Sequence, residues 1–129
     1  MKTNKAKETR PSRILLVDDN IAFIDTIKDI LEDNGFDVDT ADSGEAALEC
    51  VQNQAFDLVL MDIKMQGMNG VKSFLYMKQI NPDAQVILFT AYALDELIQQ
   101  AHKNGVIAVL KKPLEMEVLI DTISQFRSH

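Results

Sequence analysis

Short apolar runs of strand length alternate along this chain with stretches whose apolar residues recur at helical spacing, and this alternation most constrains its fold. Ile14-Leu15-Leu16-Val17, Leu58-Val59-Leu60-Met61, Val86-Ile87-Leu88-Phe89 and residues 106–110 are nearly continuous apolar runs, the pattern of strands covered on both faces. Phe36-Asp37-Val38-Asp39-Thr40-Ala41 alternates instead, which predicts a strand with one wet face at a sheet edge. Between the runs lie five helical stripes. They carry Phe23, Ile24, Ile27, Ile30 and Leu31, then Ala46, Ala47, Cys50 and Val51, then Val71, Phe74, Leu75 and the stem of Lys78. Leu94, Leu97, Ile98 and Ala101 form the fourth stripe, and Leu119, Ile120, Ile123 and Phe126 the fifth. Ser43 is placed as an N-cap, Asn34-Gly35 and Asn104-Gly105 as helix stops, and Asn81-Pro82-Asp83 as a turn.

Five strand–helix units in series, joined by right-handed crossovers, imply a parallel sheet with helices on both faces. The predicted class is α/β, a flavodoxin-like (βα)5 doubly wound sheet of strand order 2-1-3-4-5. Parallel strands share one direction, so their carboxyl ends gather at one edge. Four runs end on polar residues there: Asp18-Asp19, Asp62, Thr90 and Lys111-Lys112-Pro113. Strands one and three, which carry the aspartates, flank the switch point where such folds bind ligands.

The 129 residues amount to one domain, read as a flexible basic leader over 1–12 and a folded body over 13–129. The formal charge of −7 divides into +4 over residues 1–13 and −11 over the rest, which disfavours direct nucleic-acid binding. No apolar stretch approaches the roughly 20 residues a bilayer demands, and no signal-peptide pattern appears, so no membrane insertion is expected. A lone Cys50 suits a reducing cytoplasm and reads as a small core residue. His102 reads as a helix-surface residue, His129 as part of a frayed end, and Asp95-Glu96 and Glu115/Glu117 as solvated helix starts.

Carboxylates gathered at one edge have a limited repertoire. Two unit charges about 5 Å apart repel by roughly 3 kcal/mol at an effective dielectric near 20, which favours a raised pKa or a bound cation. Mg²⁺ suits such a site because it accepts one or two carboxylates and keeps waters to exchange for phosphate oxygens. A carboxylate is also a competent nucleophile toward phosphorus, and the transfer then needs chiefly positioning and charge neutralisation. A flavodoxin would place a phosphate-cradling loop where Asp18-Asp19 stands. An aspartyl hydrolase would normally carry a second aspartate where Lys64 stands.

Val17-Asp18-Asp19, Asp62-Ile63-Lys64-Met65-Gln66-Gly67-Met68-Asn69-Gly70, Thr90-Ala91 and Lys112-Pro113 occur in the order and spacing of one family. Over residues 13–127 the chain closely resembles the receiver domain of bacterial two-component response regulators. The resemblance implies that Asp62 is the phosphoacceptor, with Asp18, Asp19, Asp62 and the main-chain carbonyl of Lys64 holding Mg²⁺. It implies that Thr90 bonds a phosphoryl oxygen and that Lys112, rather than Lys111, pairs with the acceptor. It also implies a cis bond before Pro113.

The same resemblance implies a phosphoryl donor that is a sensor histidine kinase or a histidine phosphotransfer protein. It implies a downstream effector protein, and a phosphorylation-dependent homodimer is one form the output can take. Such a domain is no enzyme beyond catalysing its own phosphorylation and dephosphorylation. A receiver-like scaffold or binding module that is never phosphorylated is the alternative, and the intact acidic set argues against it. Five positions depart from the family pattern or tune it. Gln66 replaces a customary proline and is expected to loosen its loop. Val109 replaces a customary aromatic, which alters transmission through the fourth helix and fifth strand. Leu114 stands where Phe is frequent, and Lys64 with Tyr92 tunes dephosphorylation.

Overall fold

The structure, a computed structural model, describes residues 13–125. The leader, Phe126 and His129 lie outside the described residues. Strands β1 (Arg13–Val17), β2 (Asp37–Ala41), β3 (Leu58–Asp62), β4 (Val86–Thr90) and β5 (Ala108–Lys111) alternate with five helices. These are α1 (Ile21–Asp33), α2 (Gly44–Asn53), α3 (Gly70–Ile80), α4 (Asp95–Lys103) and α5 (Met116–Ser124). The strands form one sheet in the order β2-β1-β3-β4-β5, and every pair is parallel. The doubly wound flavodoxin-like class and its strand order are as the sequence predicted.

Alternation along the buried strands divides the core into two layers. Leu15, Val17, Val59, Met61 and Leu88 pack with Ala47 of α2, Val71, Phe74 and Met77 of α3, and Ala101 of α4. Ile14, Leu16, Leu58, Leu60, Ile87 and Phe89 pack with Ile24, Ile27 and Leu31 of α1 and Leu119 and Ile123 of α5. Full burial of each such Val, Leu, Ile, Phe or Met side chain contributes roughly 1.5–3 kcal/mol. The central strands β3 and β4 are buried at every position, whereas β2 leaves Asp37 and Thr40 exposed at its edge.

Local signals set the helix ends. Ser43 accepts the Ala46 N–H at 3.0 Å, and Gly35 and Gly105 adopt positive φ of 93° and 88° after α1 and α4. In the turn after α3, Asp83 N–H donates to Asn81 Oδ1 at 3.0 Å. The fifth strand starts later than the apolar run predicts, at Ala108 rather than residue 106. Val106 N–H still closes α4 by donating to the Ala101 carbonyl, so the run serves two elements.

Candidate functional site

Strand register delivers the polar residues to one row. Val17 pairs with Met61, Asp62 with Phe89 and Thr90 with Lys111, so β1, β3, β4 and β5 end side by side. Asp18 and Asp19 follow β1, Asp62 and Thr90 close β3 and β4, and Lys112 follows β5. Asp18, Asp62 and Thr90 are buried and Asp19 is exposed. One carboxylate oxygen from each of Asp18, Asp19 and Asp62 lies within 4.8 Å of the other two.

Lys112 joins this cluster. Its ammonium donates to Asp18 Oδ2 at 2.7 Å and to Asp62 Oδ2 at 3.5 Å. Its main-chain N–H donates to the Thr90 carbonyl at 2.9 Å, tying the β5 exit to the end of β4. Lys111, in contrast, is exposed at the end of β5. The bond between Lys112 and Pro113 is cis. The ammonium also lies over the rings of Phe23 and Phe89. Those two aromatics counted only as core in the sequence, where helical and strand periodicity gives no sign of a charged neighbour.

Short backbone ties hold the carboxylates. Asp18 N–H donates to the Ala41 carbonyl at 3.2 Å, while Asp18 Oδ1 accepts the Asn20 N–H at 3.0 Å. Asn20 then caps α1 by accepting the Phe23 N–H at 3.1 Å. Asp19 Oδ2 accepts the Gln66 N–H at 3.1 Å. A proline at position 66 would lack that donor, so the expected loosening is met by a tie to the acidic pair. Gly70 approaches so closely that a Cβ there would collide with the Asp62 carbonyl oxygen. Its N–H donates to the Ile63 carbonyl at 2.7 Å.

Asp62 is the perturbed acid of the site. Burial, and then the charge of Asp18, push its pKa up from 3.8 to about 6. The Lys112 ammonium and the main-chain N–H of Lys64 oppose that rise without cancelling it. Thr90 Oγ1 accepts the Tyr92 N–H at 3.1 Å. The Lys64 ammonium lies 4.9 Å from the centre of the Tyr92 ring, bridging the loops that follow β3 and β4. Val109 is half-buried against the α2–α4 layer. Cys50 is half-buried on α2, and burial, then the charges of Asp39 and Glu49, raise its thiol pKa, which favours the protonated form.

The donor set fits a small hard cation. Octahedral Mg²⁺ with oxygens at about 2.0–2.1 Å spaces its ligand atoms about 2.9–4.2 Å apart. The three carboxylate oxygens, mutually within 4.8 Å, lie close to that spacing.

The response regulator receiver domain model matches residues 14–124. The chain belongs to this family. It is 38% identical over 116 residues to transcriptional regulatory protein ZraR of Escherichia coli (strain K12), covering 90% of this chain and 26% of ZraR. The chain thus spans about a quarter of the length of that relative. Sporulation initiation phosphotransferase F of Bacillus subtilis (strain 168) is 30% identical over 114 residues, or 88% of this receiver and 92% of that protein. Among solved structures, the CheY-like receiver domain protein of Methanospirillum hungatei JF-1 superposes with a TM-score of 0.85 at 32% identity. That match covers 88% of this receiver and 91% of its neighbour. A response regulator of Burkholderia pseudomallei, solved with a phosphorylated aspartic acid, calcium ion and citrate, gives 0.80 at 27% identity. Coverage there is 87% of this receiver and 66% of that chain.

The receiver domain of two-component signalling foreseen from the motifs is therefore the family of this chain. Among the described residues, no helix is long and apolar enough to cross a membrane.

Proposed function

We propose that this receiver takes a phosphoryl group onto Asp62 from a sensor histidine kinase or a histidine phosphotransfer protein, in a Mg²⁺-dependent reaction, and thereby switches its binding to an effector. The observation that carries this reading is the convergence of three carboxylates and one ammonium at the carboxyl edge of the sheet. Support also comes from the Burkholderia neighbour, which was solved with a phosphorylated aspartic acid and a calcium ion.

The steps follow from the side chains. An Asp62 oxygen attacks phosphorus as the bond from phosphorus to the donor's imidazole nitrogen breaks, and the imidazole departs with that electron pair. Asp18, Asp19, Asp62 and the main-chain carbonyl of Lys64 would hold Mg²⁺, which when bound neutralises charge on the phosphoryl oxygens. The Lys112 ammonium, already within reach of Asp62, turns to the new phosphoryl oxygens, and the Thr90 hydroxyl donates to another. Replacing one carboxylate charge by about −1.5 to −2 draws Lys112 and Thr90 inward. That movement biases the surface around α4 and β5, where an effector or a second copy binds. The lone Cys50 suits a cytoplasmic setting.

Incubation with acetyl phosphate and Mg²⁺, followed by intact-mass measurement, tests the reading. One added phosphoryl group is expected, absent without Mg²⁺ and absent in Asp62→Ala. Adduct formation in Asp62→Ala at the parent rate would reject Asp62 as the acceptor.

A further inference from the structure

The Lys112 ammonium has two kinds of neighbour. Beside its contacts with Asp18 and Asp62, it lies 4.2 Å from the centroid of the Phe23 ring and 5.3 Å from that of Phe89. The two rings touch, with centroids 5.5 Å apart and planes inclined at 49°. We propose that Phe23 and Phe89 form an aromatic cradle that positions the Lys112 ammonium between Asp18 and Asp62, and that this cradle sets the rate of phosphoryl transfer. The second clause rests on Asp62 being the phosphoacceptor.

Lysine chemistry gives the reason for a cradle made of rings. The ammonium ends a flexible four-carbon stem and carries three donors, so carboxylates alone leave it several poses. An aromatic face attracts the cation through its quadrupole and offers no lone-pair acceptor in line with an N–H. Position is therefore restrained while the donors stay available to oxygens. Two donors serve Asp18 and Asp62, and among the described residues the third meets no oxygen acceptor, which leaves it for a phosphoryl oxygen. A polar side chain in place of either ring would engage that third donor.

Backbone geometry fixes both rings relative to the carboxylates. Asp18 Oδ1 accepts from Asn20 N–H, and Asn20 Oδ1 accepts from Phe23 N–H, so two hydrogen bonds link the Asp18 carboxylate to the ring-bearing residue. Phe89 pairs in register with Asp62 across β3 and β4 and is fully buried. Phe23 is only half-buried, so a change there can be made without opening the core.

Phe23→Leu retains an apolar side chain and removes the ring 4.2 Å from the ammonium. The rate constant for phosphorylation by saturating acetyl phosphate with Mg²⁺ is expected to fall about 2- to 30-fold, the span from an exposed to a desolvated cation–π contact. Mg²⁺ affinity is expected to hold or tighten, and Phe23→Tyr to restore the parent rate. In a Lys112→Ala background, Phe23→Leu is expected to change nothing further. A readout free of phosphodonor comes from the ¹³C–¹H NMR signals of the Lys112 ε-methylene. Ring currents displace them in the parent, and Phe23→Leu returns them toward ordinary lysine values. A parent-like rate in Phe23→Leu, or an equal loss with Lys112 already removed, overturns the rate claim. ε-Methylene signals that ignore Phe23→Leu overturn the cradle itself. A parent protein that shows the displaced signals but never gains a phosphoryl group rejects the acceptor reading instead.

Discussion

Lys112 donates to Asp18 at 2.7 Å, a bond that closes 94 residues of chain. Its partner is thus a proposed metal ligand more than the proposed phosphoacceptor, which is 0.8 Å farther away at 3.5 Å. The lysine occupies one lone-pair direction of a carboxylate that a divalent cation would also use. The ammonium and the cation therefore compete electrostatically for Asp18, while phosphoryl transfer calls on both.

That competition predicts opposite effects of one substitution. Lys112→Ala is expected to tighten Mg²⁺ about tenfold, because a positive charge no longer faces the incoming ion in a partly desolvated cluster. The same variant is expected to lose most phosphorylation by acetyl phosphate. Calorimetric titration at low ionic strength reads the first effect and intact mass the second. Unchanged Mg²⁺ affinity would remove the competition from this account.

The raised pKa of Asp62 makes stability depend on pH in a defined sense. Its folded value of about 6 lies above its ordinary 3.8, so the native state binds the proton more tightly than the unfolded chain. The favourable contribution is complete below about pH 4 and is lost as pH rises through 6. Above that, Asp62 is a buried charge facing Asp18. Asp62→Asn is therefore expected to stabilise the metal-free protein at pH 7.5 by about 1–3 kcal/mol, with the gain shrinking toward pH 5. Urea melts at the two pH values measure it. A less stable Asn variant at pH 7.5 would reverse the sign assigned here.

Gly70 abuts the backbone of the acceptor strand, with a Cβ directed into the Asp62 carbonyl and the Ile63 Cα. Gly70→Ala is expected to destabilise by about 1–3 kcal/mol through overpacking. Because the displaced atoms are the end of β3, phosphorylation should slow as well. Denaturation midpoints and adduct formation in one preparation test both, and a fully stable variant would show that the loop yields without cost.

Ser73 lies fully buried in α3, and its hydroxyl has no hydrogen-bond partner among the described residues. A buried unsatisfied hydroxyl carries a desolvation penalty that alanine avoids. Ser73→Ala is expected to raise stability by up to about 1 kcal/mol and to leave phosphorylation unchanged. A clear loss in the urea midpoint would mean the hydroxyl is paired in solution.

The sequence by itself determined the five-unit architecture, because short, fully apolar runs such as Leu58–Met61, set between helical stripes, read as strands covered on both sides. Alternation of Phe36 and Val38 with Asp37 and Asp39 likewise placed β2 at an edge. It also determined which residues share the carboxyl edge, since parallel strands bring Asp18, Asp62, Thr90 and Lys112 together whatever the details of packing. Tertiary structure alone decided the rest. The closer approach of Lys112 to Asp18 than to Asp62, the rings of Phe23 and Phe89 around its ammonium, and the tie from Gln66 to Asp19 join residues far apart in the chain. The late start of β5 came from Val106 closing α4 first. Periodicity reports which face a side chain takes. Differences of an ångström between distant groups arise only when helices, strands and loops have packed and their backbone donors have found acceptors.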